Sequence, residues 1–181
     1  PVVPRGHSVG VIGCKGGMGI STLTLNLAAA YAQKTKSEVI AAELRPGQGT
    51  WALELGFTPS NALESILQMP PSEITPDEVG KHLVGTSFGA RLLLAGENSM
   101  AMDLTGMTEK MLALINSVTL MSPMSFLDLG TAFLPGFEKV CSVCSEVIVV
   151  TDPTPTTVSR TKVLLSELRS VGSASGKTIN I

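Results

Sequence analysis

The run Gly13-Cys14-Lys15-Gly16-Gly17-Met18-Gly19-Ile20-Ser21-Thr22 gathers the residue types that hold phosphate. Gly16, Gly17 and Gly19 can turn backbone N–H groups toward a ligand, Lys15 supplies a cation, and two hydroxyls follow at Ser21 and Thr22. Such a loop works between a strand and a helix, where freed N–H groups and the positive helix end surround an anion. In full form, a lysine reaches the outer phosphates and a Ser or Thr hydroxyl holds magnesium. Glycines alone are weak evidence, because they also serve close strand-to-helix packing; glycines followed by Ser-Thr are much more specific. Two further places carry charge at strand ends: Glu43 and Arg45 around EVIAAEL, and Asp128 in MSFLDL. Cys141-Ser142-Val143-Cys144 has the CxxC spacing of redox and metal sites. No second Cys or His cluster completes four ligands in one chain, so the readings are buried small residues or a cluster bridging two copies. His7 and His82 lack the paired spacing of zinc or acid–base chemistry and read as surface residues.

The elements that must position these residues follow from hydrophobic patterning. Residues 8–14 read as a strand entering the loop and 20–34 as the helix leaving it, with Leu23, Leu27, Ala30 and Tyr31 at helical spacing. Residues 38–44 read as a buried strand closed by Arg45-Pro46-Gly47. Helices are predicted over 62–69 and from Thr75 to Leu83, with strands at 90–95, 124–129 and 146–151. A helix over 108–120 carries Met111, Leu112, Ile115 and Val118 on one stripe, and a last helix over 156–169 places Val158, Val163, Leu164 and Leu168 inward. Alternating strands and helices predict an α/β class: one mainly parallel sheet with both faces covered. A length of 181 residues suits a single domain. So does a composition 44 % hydrophobic and 15 % charged. The net charge of -2 gives no field that attracts nucleic acid. Three cysteines point to a reducing, cytoplasmic compartment, and no apolar run is long enough to span a bilayer. Trp51 and Phe57 read either as an exposed patch or as packing against the next helix. The start at Pro1 and the apolar run Thr178-Ile179-Asn180-Ile181 suggest a piece of a longer protein.

KGGMGIST resembles the deviant Walker A sequence KGGxGK[ST][ST] of ParA/MinD P-loop ATPases, and the likeness extends through FGARLLLAG and SEVIVVTDPTPTTVSRTKVLLSEL. The resemblance implies ATP with Mg²⁺ as ligand, with Gly16, Gly17 and Gly19 forming the cradle. Lys15 would reach the phosphates of a second copy in a homodimer, Ser21 would bind magnesium directly, and Thr22 would meet the inner phosphate. Asp128 would hold the metal's water shell, its alternative being an ordinary strand-end acid. Three positions depart from the pattern. Ile20 replaces the lysine that opens the helix, while Glu43 and Arg45 stand where the family has two aspartates, the second positioning the catalytic water. The branch most resembled is CpaE/TadZ, which places pilus-assembly machinery after a receiver-like N-terminal domain. The strand after Gly176, whose end contributes an adenine-contacting asparagine in relatives, is mostly absent.

The resulting expectation is a degenerate ParA/MinD-like domain that acts as a spatial scaffold or regulator through dimerisation and partners of a polar or secretion-type assembly. Hydrolysis would be weak or lost. The rivals are a slow ATPase in which Arg45 or another cation substitutes for the missing lysine, and an iron–sulfur carrier using Cys141 and Cys144 across a dimer.

Overall fold

The computed structural model describes residues 4–98, 106–131, 136–172 and 178–180. Strand β1 (His7–Gly13) leads into helix α1 (Ile20–Thr35), followed by β2 (Val39–Glu43), α2 (Trp51–Leu55) and α3 (Ala62–Leu67). A 3₁₀ turn (Pro71–Glu73), α4 (Pro76–Lys81), β3 (Val84–Gly85) and β4 (Ala90–Leu93) come next. The remainder is α5 (Met107–Met121), β5 (Met124–Thr131), α6 (Phe137–Val143), β6 (Glu146–Val150), α7 (Pro155–Gly172) and β7 (Thr178–Asn180). Among the described residues the strands form one seven-stranded sheet in the order β3-β4-β2-β5-β1-β6-β7. Every pairing is parallel except β3 against β4.

This order makes the sheet two-sided, and the sequence shows why. Strand β2 is buried at all five positions, so it reads as a continuous apolar run without alternation. On one face, Leu25, Ala28 and Ala32 of α1 and Trp51 of α2 pack with Val39, Ala41, Leu92 and Phe126. On the other, Leu63 and Ile66 of α3, Val79 of α4, Leu114 and Val118 of α5, and Leu164 and Leu168 of α7 cover Ile12, Ile40, Ala42 and Leu127. Trp51 is fully buried and Phe57 packs partly against the same cluster, so the packing alternative holds for this pair. Helix α4 starts where Thr75-Pro76 predicts, with the Thr75 hydroxyl accepting from the Glu78 N–H and proline at the first turn.

One expectation needs correction. Helix α7 is rotated from its predicted phase: Val158 and Val163 are exposed, while Thr157, Thr161, Leu164 and Leu168 face inward. The threonines are tolerated there because their hydroxyls bond, Thr161 to Thr151 at 3.0 Å and Thr157 to Thr154 at 2.7 Å. Helix α2 and the two-residue β3 are too short to leave a periodic trace. The final run pairs as β7 with β6 over Thr178–Asn180; Gly176 and Ile181 lie outside the described residues. No described helix is long and apolar enough to cross a membrane. Leu127, fully buried in β5, tests the two-sided core: Leu127→Ala should cost about 2–5 kcal/mol in urea unfolding without changing the denaturant slope.

Candidate functional site

The site forms at the carboxyl ends of β1, β2 and β5, where parallel strands deliver their loops to one rim. Gly17 and Gly19 adopt φ of 77° and 78°, the left-handed region that glycine enters without strain. A Cβ added at Gly16, Gly17 or Gly19 would meet nothing within 4 Å, so these glycines face open space. The N–H groups of Ile20, Ser21 and Thr22 precede the first helical hydrogen bond, from Leu23 N to the Gly19 carbonyl at 2.8 Å. Neither an acid in the first turn nor a side-chain cap blocks them. A cleft of about 410 Å³ opens above, bordered by the Gly16–Thr22 loop, Arg45, Gln48, Thr50, Glu54 and Gly130.

The side chains expected to supply charge are engaged elsewhere. Ile20 is 6 % exposed, with Cδ1 lying over the small Gly13. The helix-opening position thus joins the apolar packing that includes Met18. Lys15 turns to its own chain: its Nζ lies 2.6 Å from Asp152 Oδ2, at the end of β6. That lysine, with Thr154, holds the half-buried Asp152 carboxyl far below its usual range.

Glu43, Arg45 and Asp128 meet beneath the cleft. Glu43 pairs in register with Asp128 across β2 and β5, and both are fully buried. Glu43 is an internal hub. Its Oε1 accepts from Arg45 Nη2 at 2.9 Å and Thr50 N at 2.7 Å, and its Oε2 accepts from Ala95 N at 3.2 Å. Burial raises the Glu43 carboxyl above its ordinary value, opposed by the N–H donors of Thr50 and Ala95 and by Arg45.

Strand β5 reaches this point through an irregularity: Val11 pairs with Asp128 but Ile12 with Gly130, skipping Leu129. Bulges of this kind re-aim side chains near strand ends. Gly130, at φ 64°, donates its N–H to Asp128 Oδ1 at 2.9 Å. Asp128 Oδ2 then faces Arg45 Nε at 3.3 Å, an ion pair whose angle leaves both atoms without a hydrogen bond. Burial pushes the Asp128 carboxyl up, against the Arg45 charge, the neighbouring Ser21 hydroxyl and the Gly130 N–H; Glu54 adds to the rise.

The structure therefore brings Gly16, Gly17, Gly19, Ser21, Thr22 and Arg45 around one cleft, with Asp128 just below it. It turns Lys15 sideways and Glu43 inward. Sequence reasoning missed Glu64, which is 7 % exposed and accepts from Gly47 N and Gly96 N, each at 2.8 Å, clamping the loop that carries Arg45. It also missed Glu54, exposed at the cleft's rim; neither acid stands out in a local pattern. Cys141 and Cys144 are buried at 3 % and 0 %, which leaves a dimer-bridging cluster without accessible thiolates. His7 and His82 are half-buried and each faces a glutamate: His7 Nε2 meets Glu146 at 2.9 Å, and His82 Nε2 lies 3.8 Å from Glu78.

No protein-family model and no curated protein matches the chain. Solved structures do. A cobyrinic acid a,c-diamide synthase from Mycobacterium smegmatis, with bound ATP analogue and magnesium, has a TM-score of 0.74. It is 18 % identical over 97 % of this chain and 72 % of its own. A ParA family ATPase from Chlorobium tepidum gives 0.72 at 20 % identity, over 88 % of this chain and 66 % of that one. The Cyanothece McdA complex with ATP gives 0.74 at 13 % identity, over 97 % and 68 %. This is a ParA-type P-loop fold. At such identities the likeness is one of architecture, and a synthase beside a ParA family ATPase shows that the architecture carries different activities.

The Glu43 hub yields the prediction here. Glu43→Ala strands the Arg45 guanidinium and several backbone donors, and should cost about 3–5 kcal/mol in chemical denaturation. With a folded value above 4.5, the folded protein keeps a proton that the unfolded chain has released. This carboxyl therefore lowers stability as pH rises from 4.5 through its raised value, a slope that Glu43→Gln should remove from pH-dependent unfolding.

Proposed function

We propose that this chain is a ParA/MinD-like nucleotide-binding domain of the positioning type that has lost efficient hydrolysis and works as a scaffold or regulator. The observation that carries the reading is the combination of an intact glycine cradle with an apolar residue, Ile20, packed at the position of the helix-opening lysine. Phosphates fit the cradle, because its N–H groups face a cleft with room for them. Gly16, Gly17, Gly19, Ser21 and Thr22 would hold the phosphates of ATP. Lys15 would contribute to a homodimer once released from Asp152. The neighbours solved with ATP, or with an ATP analogue and magnesium, support the ligand class.

On this reading residues 1–181 form one domain of a longer cytoplasmic protein, following a receiver-like domain in the CpaE/TadZ manner. Its partners belong to a pilus or other polar assembly. Arg45 at the cleft's edge is the one feature that favours a slow ATPase instead, since it could act as the missing lysine.

Phosphate-release assays decide between the two. Turnover should fall about 10²-fold or more below that of an intact relative, the loss expected when a preorganised charge contact is removed. Low turnover that needs magnesium and is abolished by Asp128→Ala would establish the slow-ATPase reading, and turnover at the relative's rate would overturn the loss of efficient hydrolysis. Calorimetric titration with ATP should show a gain of about tenfold in affinity for Ile20→Lys, the worth of one charge-assisted contact. An unchanged affinity would show that other parts of the pocket have been lost as well. Glu54→Gln should tighten ATP by about two- to fivefold at low salt, because an exposed acid at the rim repels the phosphates only weakly.

A further inference from the structure

We propose that the Arg45 guanidinium is a resident cation that takes the place of a divalent metal at Asp128, so that a phosphate-bearing ligand enters this cleft without magnesium. The second half rests on the nucleotide-binding reading above; the first half does not.

Magnesium does not fit the residues present. It requires oxygen ligands at roughly 2.0–2.1 Å in near-octahedral array, several of them water. The Ser21 hydroxyl, which the resemblance makes the direct ligand, is turned to the Asp128 carboxylate, and Asp128 Oδ1 already accepts the Gly130 N–H. Oδ2 is buried and already faces Arg45 Nε at 3.3 Å, where the ion and its waters would have to stand. Glu43 is no substitute ligand, because Arg45 and the Thr50 and Ala95 N–H groups consume its oxygens.

Arg45 is also fixed in place. Its Nη2 bonds Glu43 and, at 3.2 Å, the Thr50 hydroxyl; its side chain is only 18 % exposed. Its stem lies against Gly130 so closely that a Cβ there would stand 2.6 Å from Arg45 Cδ. A planar guanidinium that bridges two carboxylates is well suited to this post. Bringing a doubly charged ion beside it would set like charges a few ångströms apart in a poorly solvated site. Arg45 nevertheless borders the cleft together with the glycine loop, so the cation that neutralises Asp128 is also the one a phosphate would meet.

The test uses Mn²⁺ alone as a paramagnetic probe, followed by ADP. Wild-type protein should leave millimolar Mn²⁺ free in solution. Arg45→Met, which keeps the apolar stem and removes the charge, should bind one Mn²⁺, and Arg45→Met with Asp128→Asn should lose it. If Arg45→Met is unstable, Mn²⁺ or Mg²⁺ should raise its melting temperature while leaving wild type unmoved. Mn²⁺ bound by wild type and lost in Asp128→Asn overturns the proposal, as does an Arg45→Met variant that neither binds nor is stabilised by the metal. ADP affinity of wild type should agree to within about twofold in Mg²⁺ and in EDTA, whereas tightening by about tenfold or more with Mg²⁺ refutes metal-free entry. Absence of ADP binding in both conditions refutes the nucleotide reading and metal-free entry with it, and the Mn²⁺ series then decides the role of Arg45 alone.

Discussion

The shared guanidinium of Arg45, held between two fully buried carboxylates, is the contact from which the rim of the sheet is organised. Two acids at paired positions of adjacent parallel strands would repel each other in a poorly solvated interior, and each would have to pay for its own desolvation. One cation offsets part of that cost, and N–H donors from Thr50, Ala95 and Gly130 offset more. The same donors tie distant chain segments together. Thr50 precedes α2, whose Trp51 is fully buried, and Ala95 follows β4, so one carboxylate at the end of β2 fixes where both continue.

The electrostatics of the cleft follow from that organisation. An anion in the cleft would be met mainly by backbone dipoles, because the two cations nearest the loop already have partners: Lys15 with Asp152, and Arg45 with Glu43 and Asp128. Such N–H groups are preorganised and cost nothing to position, yet they carry only partial charge. A polyanion met by dipoles and by one cation already shared between two carboxylates, past an acid at the rim, would gain less than one met by free ammonium groups.

Much of this frame was legible because its signals are local. The apolar run into KGGMG, the glycines and the helix after them fix the loop within a dozen residues, and the unbroken burial of β2 shows directly as VIAAE. Asp128 could be placed on the same rim because it ends a strand of a mainly parallel sheet. What could not be read depends on partners far along the chain. Glu64 looks like a solvated helical acid until Gly96 N is found 2.8 Å away, and Glu43 looks like a rim residue until Ala95 is brought to it. The phase of α7 was misjudged because Val158 and Val163 carry the stronger apolar signal, whereas the buried threonines earn their place through hydroxyl bonds to residues outside the helix or to the sulfur of Cys14.

The contact between Arg45 and Gly130 also bears on how this site can change over generations. With the arginine in place, any side chain at position 130 meets its stem and must also adopt a positive φ. With the arginine lost first, two buried acids face each other across β2 and β5 without their shared counter-charge. Neither residue can be exchanged singly without passing through a less stable protein, so the pair behaves as a ratchet. A lineage that has acquired it is held there by its own fold, whether or not selection on the cleft continues.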